Sequence, residues 1–79
     1  MNYEVDLQTR LKGDALEKLW AGILQTLADK FETIPKGERQ ARRDELVDGW
    51  CKELAKGLGL TYYRNDDWLN FCDSELAPN

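Results

Sequence analysis

The chain has 79 residues, no histidine, two cysteines and a net charge of −4, from 15 acidic and 11 basic side chains. A chain of this length forms one domain, here predicted over residues 1–79. Without histidine it lacks the catalytic and metal-binding arrangements that depend on imidazole. Its acidity disfavours nucleic acid and anionic lipid as direct partners and favours a basic protein surface.

A strand is the first predicted element. Between residues 3 and 11, apolar, aromatic or β-branched side chains alternate with polar ones, which is the period of a half-buried strand. Glu4 and Asp6 fall on its polar face. Residues 60–64 are rich in strand-forming types and are the expected pairing partner. We therefore predict a small antiparallel sheet with strands near residues 3–11 and 60–64.

The longest periodic segment predicts a first helix over about residues 14–32. Apolar residues recur there at three- and four-residue steps as far as Phe31, so they share one face of a helix. Asp14 is a suitable cap for the helix N-terminus. Pro35 lacks a backbone N–H, and we expect the helix to end before it.

A second amphipathic helix is predicted over about residues 37–57. Its apolar positions lie only in its C-terminal half. Gly57 and Gly59 mark its end, where a residue of left-handed conformation is often required. Because a short loop joins them, the two helices should form an antiparallel hairpin that covers one face of the sheet.

The last segment, residues 67–76, fits two structures. As a helix it places its apolar residues, from Trp68 to Leu76, on one face; as a strand it forms a hairpin with residues 60–64. We favour the helix. The predicted fold is therefore α+β, a small antiparallel sheet covered by two helices. The alternative is an all-α fold in which residues 3–11 form a helix or a loop.

No side chain is predicted to be catalytic, to bind a cofactor or to hold a metal ion. Cys51 and Cys72 lie among apolar residues, so we expect packed thiols with no base to activate them. The carboxylates between Asp66 and Glu75 lack the spacing of a calcium loop and better fit a helix cap with a solvated acidic surface. The sequence thus favours a protein that is not an enzyme.

Three arginines form a basic patch near the start of the second helix: Arg39, Arg42 and Arg43. Arginine clusters bind phosphate groups, so the alternative function is a small DNA-binding regulator. Carboxylates interleave with these arginines, however, at a spacing that predicts local salt bridges.

An acidic segment that carries tyrosine is the better candidate for binding a partner. Adjacent strand residues point to opposite faces, so at most one of Tyr62 and Tyr63 enters the core. Tyrosine and arginine are enriched among the residues that dominate binding at interfaces. The predicted partner-binding residues are Tyr62, Tyr63, Asp66, Asp67, Asp73, Glu75, Glu4 and Asp6.

In profile, this short acidic chain without catalytic motifs resembles the small anti-CRISPR proteins that phages and mobile elements encode against type I systems, with type I-C the suggested subtype. The resemblance covers the whole chain and includes no shared motif. It implies a stoichiometric inhibitor at a basic nucleic-acid-binding surface of a crRNA-guided host complex. Acidic side chains from residues 1–10 and 64–76 would there stand in for phosphates.

The start of the sequence predicts a cytoplasmic protein, and the anti-CRISPR resemblance implies that this is the cytoplasm of a bacterial host cell. Met1 is followed by polar and acidic residues rather than by the basic and apolar regions of a signal peptide. No apolar run approaches the roughly 20 residues of a membrane span. We expect a host protein or ribonucleoprotein complex as partner, neither nucleic acid nor membrane, and a monomer rather than a dimer.

Overall fold

A three-stranded sheet and two helices make up the fold. The computed structural model describes residues 3–73. Its elements are β1 (Glu4–Gln8), α1 (Asp14–Phe31), α2 (Gln40–Leu58), β2 (Thr61–Asn65) and β3 (Trp68–Cys72). The predicted α+β class and the two helices are confirmed.

The strand order β1-β3-β2 differs from the predicted sheet. β3 pairs in parallel with β1 and antiparallel with β2, so the sheet is mixed. The prediction that residues 60–64 pair with the first strand is wrong, because β3 lies between them. Residue patterns predict which segments form strands but do not determine the order of those strands in the sheet.

The helix that we favoured for residues 67–76 is also wrong, because Trp68–Cys72 forms the central strand of the sheet. Leu69 and Phe71 point to the helices and are 0% exposed. A central strand has neighbours on both sides, so apolar residues follow one another along it and imitate the apolar face of a helix. Residues 74–76 of that prediction lie outside the described part of the chain.

Both helices contribute to one core between themselves and the sheet. The side chains of this core come from one face of each element, as the periodic patterns require. Its buried members are Ile23 and Leu27 of α1, Val47, Cys51 and Ala55 of α2, Leu69 and Phe71 of β3, and Tyr3. The opposite face of the sheet is left without a helical layer among residues 3–73.

Glycines of left-handed conformation bound the two helices. Gly59 has φ of 71° and ends α2 as predicted, and the next N–H, of Leu60, bonds to the Ala55 carbonyl at 2.8 Å. Gly13 precedes α1 and makes no side-chain cap, so Asp14 is not the cap that we predicted. Asp14 is instead the first helical residue, where its negative charge still favours the positive end of the helix dipole.

The β2–β3 hairpin turns through Asp66 and Asp67, and it supplies a test of backbone strain. Asp66 has φ of 53°, in the left-handed region that costs residues with a Cβ some stability. We expect Asp66→Gly to raise the free energy of unfolding by about 0.5 kcal/mol, measured by urea denaturation. Asp67→Gly removes the same charge at a residue of negative φ and should give no gain. An equal gain from both variants would contradict the strain argument.

Candidate functional site

The face of the sheet that points away from the helices is the candidate site, and we call it the open face. Side chains alternate between the two faces of each strand, and the pairing register aligns them across the sheet. The open face comprises Glu4, Asp6 and Gln8 of β1, Trp68, Asn70 and Cys72 of β3, and Thr61, Tyr63 and Asn65 of β2.

The open face carries carboxylates along β1 and one aromatic ring on each of the other two strands. Trp68 is 51% exposed and lies between Glu4 on one side and Asn65 on the other. In the next row, Asn70 lies between Asp6 and Tyr63. A tryptophan with half of its surface in water, with one carboxylate beside it and another in the next row, is the composition expected where an aromatic anchor meets a charged partner.

The structure brings several of the predicted partner-binding residues to this face. Glu4, Asp6 and Tyr63 lie on it, and the exposed Asp66 and Asp67 form the turn directly beyond Trp68. These residues come from both ends of the sequence, and the sheet gathers them. Sequence reasoning did not include Trp68, because a helix was favoured for its segment.

Two more of the predicted partner-binding residues, Asp73 and Glu75, follow β3 in the sequence. Asp73 follows β3, and its Oδ2 accepts a hydrogen bond from the backbone N–H of Arg10 at 2.8 Å. That carboxylate therefore ties the chain after β1 to the end of β3. Glu75 lies outside the described residues.

Tyr62 lies on the helix-facing side of β2, opposite to Tyr63. Its ring contacts Phe71, with centroids 5.2 Å apart, and its hydroxyl donates to Asp48 Oδ1 at 2.7 Å. Burial, followed by the hydrogen bond to Asp48, raises the pKa of Tyr62 above its ordinary value. Tyr62 is therefore part of the structure beneath the sheet and not of the open face.

A set of polar contacts joins α2 to the sheet, and we call it the polar clamp: Tyr3, Asp44, Asp48, Tyr62 and Arg64. Arg64 Nε donates to Asp48 Oδ1 at 2.9 Å, and Arg64 Nη1 lies 3.8 Å from Asp44 Oδ2. The Tyr3 hydroxyl donates to Asp44 Oδ1. The clamp fixes α2 across β1 and β2.

Hydrogen bonds within the polar clamp shift the pKa values of its charged side chains. The hydrogen bond from Tyr3 is the main cause that lowers the pKa of the Asp44 carboxyl. The hydrogen bond to Asp48 is the main cause that raises the pKa of Arg64. Asp44 and Asp48 are one helical turn apart on α2, and this spacing was the only signal in the sequence that they face the same neighbour.

The three arginines of the basic patch differ in burial and in their polar partners. Arg39 and Arg42 are exposed, and Arg42 Nε lies 3.5 Å from a carboxylate oxygen of Glu38, as the predicted salt bridging requires. Arg43 is half-buried beside Phe31, and its Nε is enclosed without a hydrogen-bond partner among the described residues. The three arginines thus do not act as one freely exposed cluster.

Both cysteines are free thiols that are withdrawn from solvent, which gives a second test. Cys51 is 0% exposed and Cys72 is 1% exposed. Burial raises the pKa of the Cys51 thiol to about 12 and also raises that of Cys72. We expect neither to react with Ellman's reagent in the native chain at neutral pH, and both to react in denaturant. Rapid reaction of the native chain would contradict this packing.

Three remaining findings concern metal sites, membrane-spanning helices and similarity to known proteins. Within residues 3–73, no group of three or more cysteine, aspartate or glutamate side chains is placed to share a metal ion. In the same range, no helix combines the length and the apolar character needed to cross a membrane. Comparisons with protein-family models, with curated proteins and with solved structures find no match to this chain.

Proposed function

We propose that this chain is a non-enzymatic inhibitor that binds a protein partner through the open face and the adjoining β2–β3 turn. The observation that carries the proposal is the half-exposed Trp68 beside Glu4, with Asp6 in the next row. The partner surface that fits this face is basic and accepts an aromatic ring. A nucleic-acid-binding surface of an anti-phage defence complex has that chemistry, in keeping with the anti-CRISPR resemblance.

The spacing of the carboxylates supports a surface that replaces nucleic acid. Glu4 and Asp6 are two residues apart on one strand, so their Cα atoms are about 6.6 Å apart, which is comparable with the separation of successive phosphates on one strand of nucleic acid. Asp66 and Asp67 extend the negative charge past the end of the sheet. Lysine and arginine side chains that hold a phosphate backbone are attracted to such a row.

The aromatic side chains distinguish this face from a surface that is acidic only for solubility. A purely solvating surface has no need to keep a tryptophan half in water, whereas an interface gains from burying it. Trp68 lies in the central strand, so its position is fixed by pairing on both sides. A rigidly held aromatic anchor loses little conformational entropy on binding.

Charge reversal on the open face tests the proposal. The face variant combines Glu4→Lys and Asp6→Lys; the matched control combines Glu45→Lys and Glu53→Lys, which reverses the same charge at exposed positions of α2. Each protein is titrated into a purified type I-C crRNA-guided surveillance complex, and binding of target DNA is followed by gel shift. We expect wild type and control to block DNA binding stoichiometrically and the face variant to need roughly 100-fold more protein.

Two outcomes would overturn this proposal. If the wild-type chain leaves DNA binding unchanged at micromolar concentration across type I complexes, the anti-CRISPR function is wrong. If the face variant and the control inhibit equally well, inhibition does not pass through the open face. Circular dichroism of both variants checks that each remains folded.

The alternative, a small DNA-binding regulator, depends on Arg39 and Arg42, the exposed members of the basic patch. Its test is a gel shift of the chain with duplex DNA at low salt, where even non-specific binders reach affinities of about 100 μM or tighter. No shift below that concentration removes the regulator and leaves the inhibitor proposal unaffected.

A further inference from the structure

β1 is an edge strand whose outer side has no strand beside it among residues 3–73. The Glu4 N–H donates to the Asp67 carbonyl at 2.8 Å, and the Gln8 carbonyl accepts from the Asp73 N–H at 2.9 Å, so both residues point their backbone groups toward β3. Backbone groups alternate in direction along a strand. The N–H and C=O groups of the odd-numbered residues, such as Val5, therefore point outward.

The edge strand β1 carries the carboxylates of Glu4 and Asp6 but no lysine, proline or bulge. Edge strands are commonly guarded against further pairing by charged side chains, above all lysine, and by proline or a bulge, so the negative charge of β1 excludes acidic strands and admits basic ones. β1 has the sequence EVDLQ and pairs with β3 in unbroken register. The other edge strand, β2, differs because Arg64 points inward and is held in the polar clamp.

A largely apolar groove of about 280 Å³ runs along this edge, between β1 and the first half of α1. Val5 and Leu7 form its strand side, Leu16 and Trp20 form its helix side, and the carboxylates of Asp6 and Glu17 complete its lining. Trp20 is 47% exposed although it belongs to the apolar stripe of α1. A strand added to β1 would bury this tryptophan beneath its side chains.

The charges around the edge determine which strand fits. On the helix side, an added strand would meet the apolar groove; on the other side, it would lie beside Glu4 and Asp6. A second copy of this chain meets like charges in two antiparallel registers, because pairing centred on Asp6 places that carboxylate against itself, and pairing centred on Val5 places Glu4 against Asp6. The complement is a strand that alternates basic with apolar residues.

We propose that the outer edge of β1 binds an extended segment of a partner protein as a fourth strand, with lysine or arginine beside Glu4 and Asp6 and apolar side chains over Trp20. The proposal rests on the proposed function only in that the chain binds a protein. Backbone hydrogen bonds supply the attachment, and the alternating side chains supply the specificity.

The test uses two peptides with capped termini and identical composition. In one, lysine and valine alternate; in the other, all lysines precede all valines. The two peptides carry the same charge, but only the alternating one places its lysines and its valines on opposite sides of a strand. We expect the alternating peptide to bind the full-length chain at least about tenfold more tightly, by isothermal titration calorimetry. Bound peptide should slow hydrogen exchange at the Val5 amide, measured by NMR, and leave the Glu4 amide, already bonded to β3, unchanged.

Three variants locate the binding. Val5→Pro removes an outward N–H without removing a bond to β3, while Val5→Thr keeps that N–H on a side chain of similar shape. Trp20→Ala removes the wall of the groove. We expect Val5→Pro and Trp20→Ala each to weaken the alternating peptide at least about fivefold, and Val5→Thr to bind as wild type does.

Several results would overturn the edge proposal: equal affinity for the two peptides, no added protection of Val5 in the wild-type chain, or loss of binding in Trp68→Ala but not in Trp20→Ala. Protection of Val5 that rises with protein concentration in the absence of peptide would assign the edge to a second copy. Each of these results leaves the open-face proposal standing, because that proposal is read from inhibition of DNA binding.

Discussion

Replacing Asp48 with alanine is expected to lower the free energy of unfolding by about 2–3 kcal/mol. Asp48 Oδ1 accepts hydrogen bonds from the Tyr62 hydroxyl at 2.7 Å and from Arg64 Nε at 2.9 Å. Alanine takes the carboxylate acceptor from the part-buried Tyr62 hydroxyl and the closest carboxylate from the Arg64 guanidinium. Because a domain of this size has a net stability of only a few kcal/mol, urea denaturation followed by circular dichroism should show a large fall in the midpoint.

Two further substitutions isolate the cause of that loss. Asp48→Asn keeps an acceptor oxygen and loses only the charge, so we expect about half the effect. Asp29→Ala removes an exposed carboxylate of α1 whose partner is Gln25 at 3.0 Å, and it should change stability by less than about 0.5 kcal/mol. If Asp48→Ala costs no more than Asp29→Ala, the polar clamp does not hold α2 to the sheet.

The elements that the sequence predicted well are those whose burial follows a local period. α1 carries one apolar stripe and is found at Asp14–Phe31, against a prediction of about 14–32. β1 alternates and is found within the predicted range of 3–11. In both, one face contacts the core and the other contacts water, so the pattern records the environment directly.

The strand β3 was not the favoured prediction because, unlike β1 and α1, it does not have one face toward the core and the other toward water. Asn70 and Cys72 are 8% and 1% exposed on the open face, while Leu69 and Phe71 are 0% exposed on the other. A central strand of this kind has no alternation to detect. Its misassignment also hid Trp68, since the open face exists only once β3 lies between the other strands.

The sequence predicted the part of the candidate site that depends on local patterns and missed the contacts between residues far apart in the chain. Glu4, Asp6 and Tyr63 were selected from local pattern and charge, and they lie on the open face. The polar clamp was missed because Arg64 meets Asp48 across 16 residues and Tyr3 meets Asp44 across 41. Such pairings depend on the order of the strands, which residue patterns do not determine.

Raising the pH from 10 to about 12 should destabilise the fold through Tyr3. Its side chain is 5% exposed, and burial, followed by the hydrogen bond and charge of Asp44, raises the pKa of Tyr3 from 10.0 to about 12. The fold therefore favours the neutral phenol. Its contribution is complete below pH 10, where the unfolded chain is also neutral, and is lost as pH rises to about 12. The shift corresponds to about 2–3 kcal/mol. Because the pKa values of Tyr62 and Cys51 are also raised, this contribution is read as the difference between the wild-type and Tyr3→Phe denaturation curves across that range.

The Tyr3→Phe variant tests this assignment at both ends of the pH scale. The hydrogen bond that contributes to raising the pKa of Tyr3 is also the main cause that lowers the pKa of Asp44 from its ordinary 3.8. For Asp44 the sign is opposite: its contribution is present above the ordinary value and is lost as pH falls through the lowered one. Removing one hydroxyl should therefore reduce the dependence of stability on pH in alkali and in acid together, while Tyr62 and Cys51 retain their own part of the alkaline slope. Flattening at only one end would mean that the two groups titrate independently and that the contact between them does not set both shifts.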